Sequence, residues 1–355
     1  RGAGTNLRGT TATAPPAPAA DEIALARTLG GALCDGLFSP EIRARYRSSV
    51  AAARQEGKRL RVRLRVEAPE LALLPWEYLY DADVGDHVVL LRETPVSRYL
   101  EMGRPAQPLT IQPPIRILGM IASPADLPSL DAAQEKQRMI EAIDHLLDAR
   151  TVQLEWVVGQ SWRALDAALQ EGEWHIFHFI GHGDFDPALG EGRIALVDEA
   201  GGDSHFLSAT QLGRLFDAHP SLRLAVLNAC EGAKASEQNL FSSAAAVLAR
   251  RGVPAVVSMQ YPISDRAAIE FSRTFYDGLA RGLAVDEAVQ ASRLAISMAP
   301  TVSGEWATPV LHMRAPDGVL LRVDLAGAIF HQRAEMPSPV APPPPPSRPA
   351  ASGED

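Results

Sequence analysis

The chain of 355 residues is 46% hydrophobic and 22% charged, a balance typical of globular proteins, and it is long enough for two domains or for one large domain with appendages. Its net charge of −9 argues against nonspecific binding to nucleic acid, and no apolar run reaches the roughly 18 residues that suggest a membrane span. Two cysteines, Cys34 and Cys230, cannot build a disulfide framework, so a reducing cytoplasm is the expected compartment.

The sequence begins at Arg1 rather than methionine, which reads as a piece of a longer chain, and its first twenty residues lack the apolar core of a signal peptide. Residues 1–20 hold mainly Gly, Thr, Pro and Ala and are expected to be a disordered lead or linker. From Asp21 to Ala53 a helical face recurs at Ile23, Ala26, Leu29 and Leu33, and Ser39-Pro40-Glu41 predicts a capped restart. Arg59 to Val66 alternates strictly, with Leu60, Val62, Leu64 and Val66 on one face and four arginines on the other. That pattern predicts a half-buried strand with a cationic outer face, solvated or salt-bridged in preference to gripping a partner. After the apolar patch Leu71 to Tyr80, strands are expected at Val88–Arg92 and Val96–Leu100. Together these make an N-terminal α+β subdomain over residues 21–103, joined by a proline-rich connector at 104–114.

From 115 to 333 strand and helix signals alternate, the signature of a parallel sheet covered by helices. Strands are predicted at Ile115–Ile121, Val152–Val158, Trp174–Ile180, Leu222–Leu227, Ala255–Gln260 and Pro309–Met313. The intervening helices are predicted at Asp131–Asp148, Trp162–Gln170, Ser208–Phe216, Phe241–Arg251, Asp265–Gly278 and Val285–Ala299. The Gly- and Asp-rich stretch Asp184–Phe206 reads as a hairpin or mobile loop. Residues 334–355, with five prolines at Pro342 to Pro346, form a flexible tail in preference to a polyproline ligand.

The chemistry concentrates at two strand ends. WHIFHFI runs into Gly181-His182-Gly183, and LRLAVL runs into Asn228-Ala229-Cys230. Ligands of open parallel sheets bind beyond the carboxyl ends of the strands, so His182 and Cys230 are expected to face one crevice. A cysteine thiolate attacks carbonyls when a base or cation lowers its pKa, and histidine supplies either. Backbone N–H groups of Gly183 and Cys230 are candidates for an oxyanion hole. Zinc held by His175, His178, His182 and Cys230 is the competing reading. On a strand, however, His175 and His178 point to opposite sides, so no metal and no cofactor is expected, and His178 reads as a core histidine that helps position His182. A serine hydrolase is disfavoured, because no Gly-x-Ser-x-Gly elbow is present.

Several segments together resemble the CHAT-domain family of caspase-like cysteine peptidases. They are LPWEYLYD (74–81), VSRYL (96–100), FHFIGHG (177–183), VLNACEG (226–232), FYDGLARG (275–282), AVDEAV (284–289) and WATPVL (306–311). His182 precedes Cys230 by 48 residues, close to the spacing in caspases. The resemblance implies a three-layer α/β/α sandwich with a mostly parallel sheet, preceded by a smaller pseudo-caspase-like subdomain. It implies Cys230 as nucleophile, His182 as its partner and Gly183 as an oxyanion donor, acting on a protein substrate. It also implies an effector of bacterial defence or regulated proteolysis, activated by a sensor protein that could carry repeats. A catalytically silent scaffold that binds a partner through the arginine strand or the proline tail is the alternative.

The chain departs from the usual family pattern at Met259-Gln260-Tyr261, where a tryptophan commonly precedes Pro262, and this bears on specificity rather than catalysis. The substrate pocket is expected between residues 123–131 and 260–265, which hold Asp126, Gln260 and Asp265 but no lysine or arginine. That content predicts a basic or neutral residue before the scissile bond, with Asp126 the candidate to pair with a basic one and Asp131 a helix cap.

Overall fold

A computed structural model of the protein describes residues 20–102, 105–228, 240–299 and 304–324. The N-terminal lead, the proline-rich tail and Cys230 with its following loop lie outside the described residues.

The organising element is an eight-stranded sheet. In chain order its strands are β1 (Val62–Leu64), β2 (Val96–Tyr99), β3 (Ile115–Ile121), β4 (Val152–Trp156), β5 (Ile176–Ile180), β6 (Leu224–Asn228), β7 (Ala255–Met259) and β8 (Pro309–Met313). Their spatial order is β1-β2-β8-β7-β6-β5-β3-β4, and every pairing is parallel except β7 with β8. Eight helices of two turns or more accompany them among the described residues: α1 (Ala20–Leu37), α2 (Pro40–Gln55), α3 (Ala132–Asp148), α4 (Trp162–Gln170), α5 (Ala209–Asp217), α6 (Leu240–Arg251), α7 (Asp265–Ala280) and α8 (Val285–Met298).

The central strands are buried on both faces, so their apolar runs are continuous and feed two cores by alternation. Ile115 and Ile117, Ile176, Leu224 and Val226 point to one core with Met139 and Ile143 of α3 and Phe271 and Phe275 of α7. Leu118 and Met120, Phe177 and Phe179, Ala225 and Leu227 point to the other, with Leu165 of α4, Phe216 of α5 and Leu248 of α6. This is the expected three-layer α/β/α sandwich with a mostly parallel sheet. Helix starts follow local chemistry. Ser39, Asp131, Ser161, Ser208 and Ser264 each accept a backbone N–H from the first turn, and Ser208 with Gln211 completes a capping box. Asp131 is thus the helix cap that the sequence predicts.

Four local expectations change. Residues 88–92 do not form a strand, because Val88–Leu90 is a 3₁₀ turn in which Val88 and Val89 are both buried, and Thr94 Oγ1 donates to the Val88 carbonyl. The arginine strand is paired only over Val62–Leu64, matching Val96 to Arg98 on its one neighbour. The connector is not structureless: Leu109–Ile111 pairs in parallel with Leu321–Val323. Asp184–Phe206 is a built part of the fold, a three-stranded antiparallel sheet of Gly183–Asp186, Glu191–Val197 and Ser204–Ser208 that buries Ile194, Leu196 and Leu207 in the second core.

The N-terminal segment joins the same sheet through β1 and β2, and buried charge ties it there. Arg98 on β2 donates to both carboxylate oxygens of Glu77, at 2.6 and 3.1 Å, and to the carbonyls of Ala72 and Leu74. Gln260 donates to Glu77 at 3.3 Å and to the Ala307 carbonyl at 2.7 Å. Arg293 on α8, fully buried, donates to the Pro309 and Val96 carbonyls, and burial pushes its pKa down to about 10. On the outer face of β1, Arg61 binds Asp286 at 2.7 Å and Glu287 at 3.3 Å, Arg59 binds Glu287, and Arg65 binds Glu67 and Glu101. Three of the four arginines on the cationic face are thus paired within the chain, and Arg63 lies over the Tyr99 ring at 4.6 Å.

Two outcomes follow for stability. Removing one member of a buried pair strands the other charge, so Glu77→Ala should lower unfolding free energy by about 3–5 kcal/mol, and Arg98→Met in that background should recover part of the loss. Chemical denaturation checks both, and an unchanged midpoint for Glu77→Ala would refute the role given to the pair. The second concerns His178, fully buried on β5 with Nδ1 2.6 Å from the Tyr276 hydroxyl, where burial pushes its pKa down to about 4 from 6.5. Between those two pH values the unfolded chain binds a proton that the fold does not. Stability contributed by the neutral ring is therefore complete above pH 6.5 and lost as pH falls towards 4, a difference of about 3 kcal/mol at most. The melting temperature should fall with acid across this window, and fall less in His178→Gln; identical pH profiles in the two proteins would refute this.

Candidate functional site

β5 and β6 are adjacent and parallel, and their register pairs Ile176 with Leu224 through to Ile180 with Asn228. The Gly181 amide then donates to the Asn228 carbonyl at 3.2 Å, so the two strands end level with each other. A side chain at position 181 has no room: a Cβ there would lie 2.6 Å from the Phe179 ring and 3.0 Å from the Ala122 carbonyl oxygen. Glycine lets the chain turn sharply off β5 and deliver His182 at the strand end.

His182 is held on both sides. Its carbonyl accepts the Ala195 amide at 2.9 Å, and its ring Nε2 lies 2.7 Å from the Pro128 carbonyl oxygen. A carbonyl oxygen can only accept, so Nε2 carries a proton, and in the neutral ring the lone pair is then on Nδ1. The residue is 4% exposed, so the ring is oriented and shielded from bulk water. Gly183 follows at once and begins the antiparallel excursion opposite Ile194. Cys230 lies outside the described residues. It follows the last residue of β6 by two positions, as His182 follows the last residue of β5 by two.

Among the described residues, the expected pocket residues Asp126, Gln260 and Asp265 share no hydrogen bond or ion pair with one another. Asp126 is exposed and accepts from both the amide and the hydroxyl of Ser204 at 2.7 Å, which holds its carboxyl below the usual range. It stands two residues before Pro128, whose carbonyl orients His182. Gln260 is buried in the Glu77–Arg98 network and not presented at a crevice. Asp265 is paired with Arg138, which also binds Glu135 at 2.6 Å. The two predicted segments contain no arginine of their own, but the fold supplies one from α3.

The histidines expected to compete for zinc are separated as the strand reading requires. His178 faces Tyr276 on α7, whereas His175 Nδ1 accepts the Arg116 amide at 2.9 Å on the other side of the sheet. No group of three or more His, Cys, Asp or Glu among the described residues is arranged to hold a metal ion.

Two participants escape a reading by residue type. The Pro128 carbonyl is backbone, so no side-chain pattern announces it. Asn228 is 5% exposed, its Oδ1 has no hydrogen-bond partner among the described residues, and it borders a cavity of about 20 Å³ with His178, Glu135 and Arg138. A polar residue ending an apolar strand was the available signal.

The chain is similar at low identity to several solved structures. The Saccharomyces cerevisiae separase–securin complex is 17% identical with a TM-score of 0.37, covering 68% of this chain and 14% of that one. The complex of Porphyromonas gingivalis RgpB pro- and mature domains is 11% identical with a TM-score of 0.48, covering 85% and 77%. The Drosophila initiator caspase Dronc is 12% identical with a TM-score of 0.39, covering 62% and 94%. This chain therefore spans about one seventh of the separase chain's length. No curated protein matches it. The CHAT domain model matches residues 27–331, from α1 through the whole sheet and past the last short strand, so the chain belongs to the CHAT domain family.

Proposed function

We propose that the chain is a cysteine endopeptidase in which His182 and Cys230 form the catalytic pair. One observation carries this reading: the level, in-register ends of β5 and β6, each followed two residues later by one member of the pair, with the His182 ring already fixed in the tautomer a base requires. Nδ1 takes the Cys230 thiol proton, and the thiolate sulfur attacks the substrate carbonyl carbon. The oxygen that becomes negative is stabilised by the Gly183 and Cys230 amides. Collapse forms a thioester and expels the amine, which leaves with the proton held by His182, and water then hydrolyses the thioester to restore the thiol. A silent scaffold gripping its partner through the arginine strand has less support, because three of its four arginines, Arg59, Arg61 and Arg65, bind carboxylates of the same chain. Control by an activating protein, as in an effector of bacterial defence or regulated proteolysis, rests on the family resemblance. Its point of action would be the segment after Cys230, since the Asp184–Phe206 stretch is already built into the core.

For the residue before the scissile bond we propose a basic or neutral side chain, with Asp126 as the carboxylate that receives a basic one. Its two hydrogen bonds from Ser204 keep it ionised and leave further acceptor capacity. Gln260 and Asp265 are engaged elsewhere, with Glu77 and with Arg138.

Labelling with iodoacetamide tests the pair. Cys34 is 4% exposed and burial pushes its thiol pKa up, so it is an internal unreactive control. Cys230 should be alkylated preferentially at pH 7, with the rate falling about tenfold or more in His182→Ala, and Cys230→Ala should abolish peptide cleavage while leaving the fold intact. Cleavage by Cys230→Ala at the wild-type rate would remove the nucleophile assignment. A peptide library varied at the position before the scissile bond checks the pocket: arginine or lysine cleavage should be lost in Asp126→Ala, and a preference for aspartate or glutamate would contradict it.

A further inference from the structure

The amino ends of the central strands, opposite the His182 end, carry a row of donors that the proposed chemistry does not use. The register pairs Ile117 with Ile176 and Leu224 with Ile176 across β3, β5 and β6. One residue earlier, the same row reads Arg116, His175, Arg223. Backbone hydrogen bonds hold this alignment: the His175 amide donates to the Arg116 carbonyl at 2.9 Å, and the Arg223 amide donates to the His175 carbonyl at 2.8 Å. Residues in one row of a parallel sheet share a face, with about 4.8 Å between neighbouring strands. By alternation this is the face that carries Leu118, Phe177 and Ala225, and the row opens into a cavity of about 880 Å³.

Each member of the row is a donor without its full complement of partners. The Arg116 amide occupies His175 Nδ1, so the neutral ring carries its proton on Nε2, which has no partner among the described residues. Burial and the neighbouring Arg116 charge push the His175 pKa down to about 4, which keeps the ring neutral at ordinary pH. Arg223 forms no ion pair among the described residues and its Nε is buried without a partner, although partial burial already pushes its pKa down. Arg116 stacks over Trp174 at 4.4 Å and has only the half-exposed Glu155 at 3.7 Å, while its Nε is likewise unpartnered among the described residues. Among the described residues, the one carboxylate bordering the cavity is Glu173. An unpaired, partly desolvated cation is costly in the empty protein, and a bound anion offsets that cost.

We infer that this cavity is a binding site for a phosphorylated small molecule, with Arg116, His175 and Arg223 gripping the phosphate. Three donors from three adjacent strands suit a tetrahedral oxyanion better than a planar carboxylate, and arginine forks bind phosphate oxygens in pairs. The volume lies in the range of small-molecule sites, and Leu109, Ile111 and Pro220 give the remainder of a ligand apolar wall. The site is about 20 Å from the His182 end of β5, counted along the strand. It stands or falls independently of the peptidase reading.

Calorimetric titration of the full chain with pyrophosphate and with adenosine diphosphate tests it, with citrate as the polycarboxylate counterpart. Pyrophosphate should bind saturably and raise the melting temperature. Arg223→Gln should weaken binding at least tenfold yet leave the empty protein melting at the same or a higher temperature, since it removes an unpaired charge. Gly172→Ala keeps every charge but sets a methyl 2.8 Å from the Arg116 guanidinium, and it too should weaken binding. Arg163→Gln, at an exposed arginine on α4, should change nothing. Absence of saturable binding up to millimolar pyrophosphate, equal loss in Arg163→Gln, or undiminished binding in both Arg223→Gln and Gly172→Ala would each overturn the site. Citrate binding as tightly as pyrophosphate would overturn the phosphate assignment.

Discussion

Both candidate sites depend on one pairing, the parallel, in-register contact of β5 with β6. Parallel strands hydrogen-bonded over their whole length must begin level and end level. At the carboxyl edge the pairing presents His182 and the chain that leads to Cys230; at the amino edge it aligns His175 with Arg223. A slip of one residue would send every apolar side chain to the wrong core. The two cores therefore enforce the register, and the register enforces the geometry at both edges.

The buried polar groups have a different task. Glu77, Arg98, Gln260 and Arg293 sit where the N-terminal segment meets the sheet, and most of their donors end on backbone carbonyls. Apolar packing alone would tolerate several ways of docking that segment. Charged groups that must each find a particular partner tolerate few, which makes β1 and β2 an extension of the sheet and not a loosely attached unit. The same logic applies to the outer face of β1, where Asp286 and Glu287 at the start of α8 take up Arg59 and Arg61, and a helix start favours carboxylates in any case.

At the candidate site the proposed base, His182, is oriented without a side-chain partner for its ring among the described residues. In His182 a backbone carbonyl fixes the tautomer, a glycine that admits no Cβ fixes the path of the chain, and burial excludes water from the ring. The carbonyl belongs to the loop between β3 and α3, which is pinned in turn by Ser123 accepting the Leu130 amide and by Asp126 accepting from Ser204. The excursion after β5 thus supports the loop that supports the base.

The sequence by itself determined the elements from residue 115 onwards and the fold class, because a strand buried on both faces must be apolar at every position and its helices must show a 3.6-residue period. It also singled out the candidate pair, since a histidine and a cysteine beside glycine and alanine at the ends of such runs stand where parallel sheets bind their ligands. It misjudged Val88–Arg92, because a short apolar run does not distinguish a strand from a buried turn, and for Asp184–Phe206 it left a hairpin and a mobile loop both open, because glycine and aspartate mask strands that pair only with one another. Tertiary structure alone decided the rest. Which carboxylate binds which arginine, that Gln260 turns inward, that Arg138 reaches Asp265, and that Arg116, His175 and Arg223 form one row all depend on contacts between residues far apart in the chain. Local pattern cannot encode such contacts, because they are set by the order in which the strands assemble.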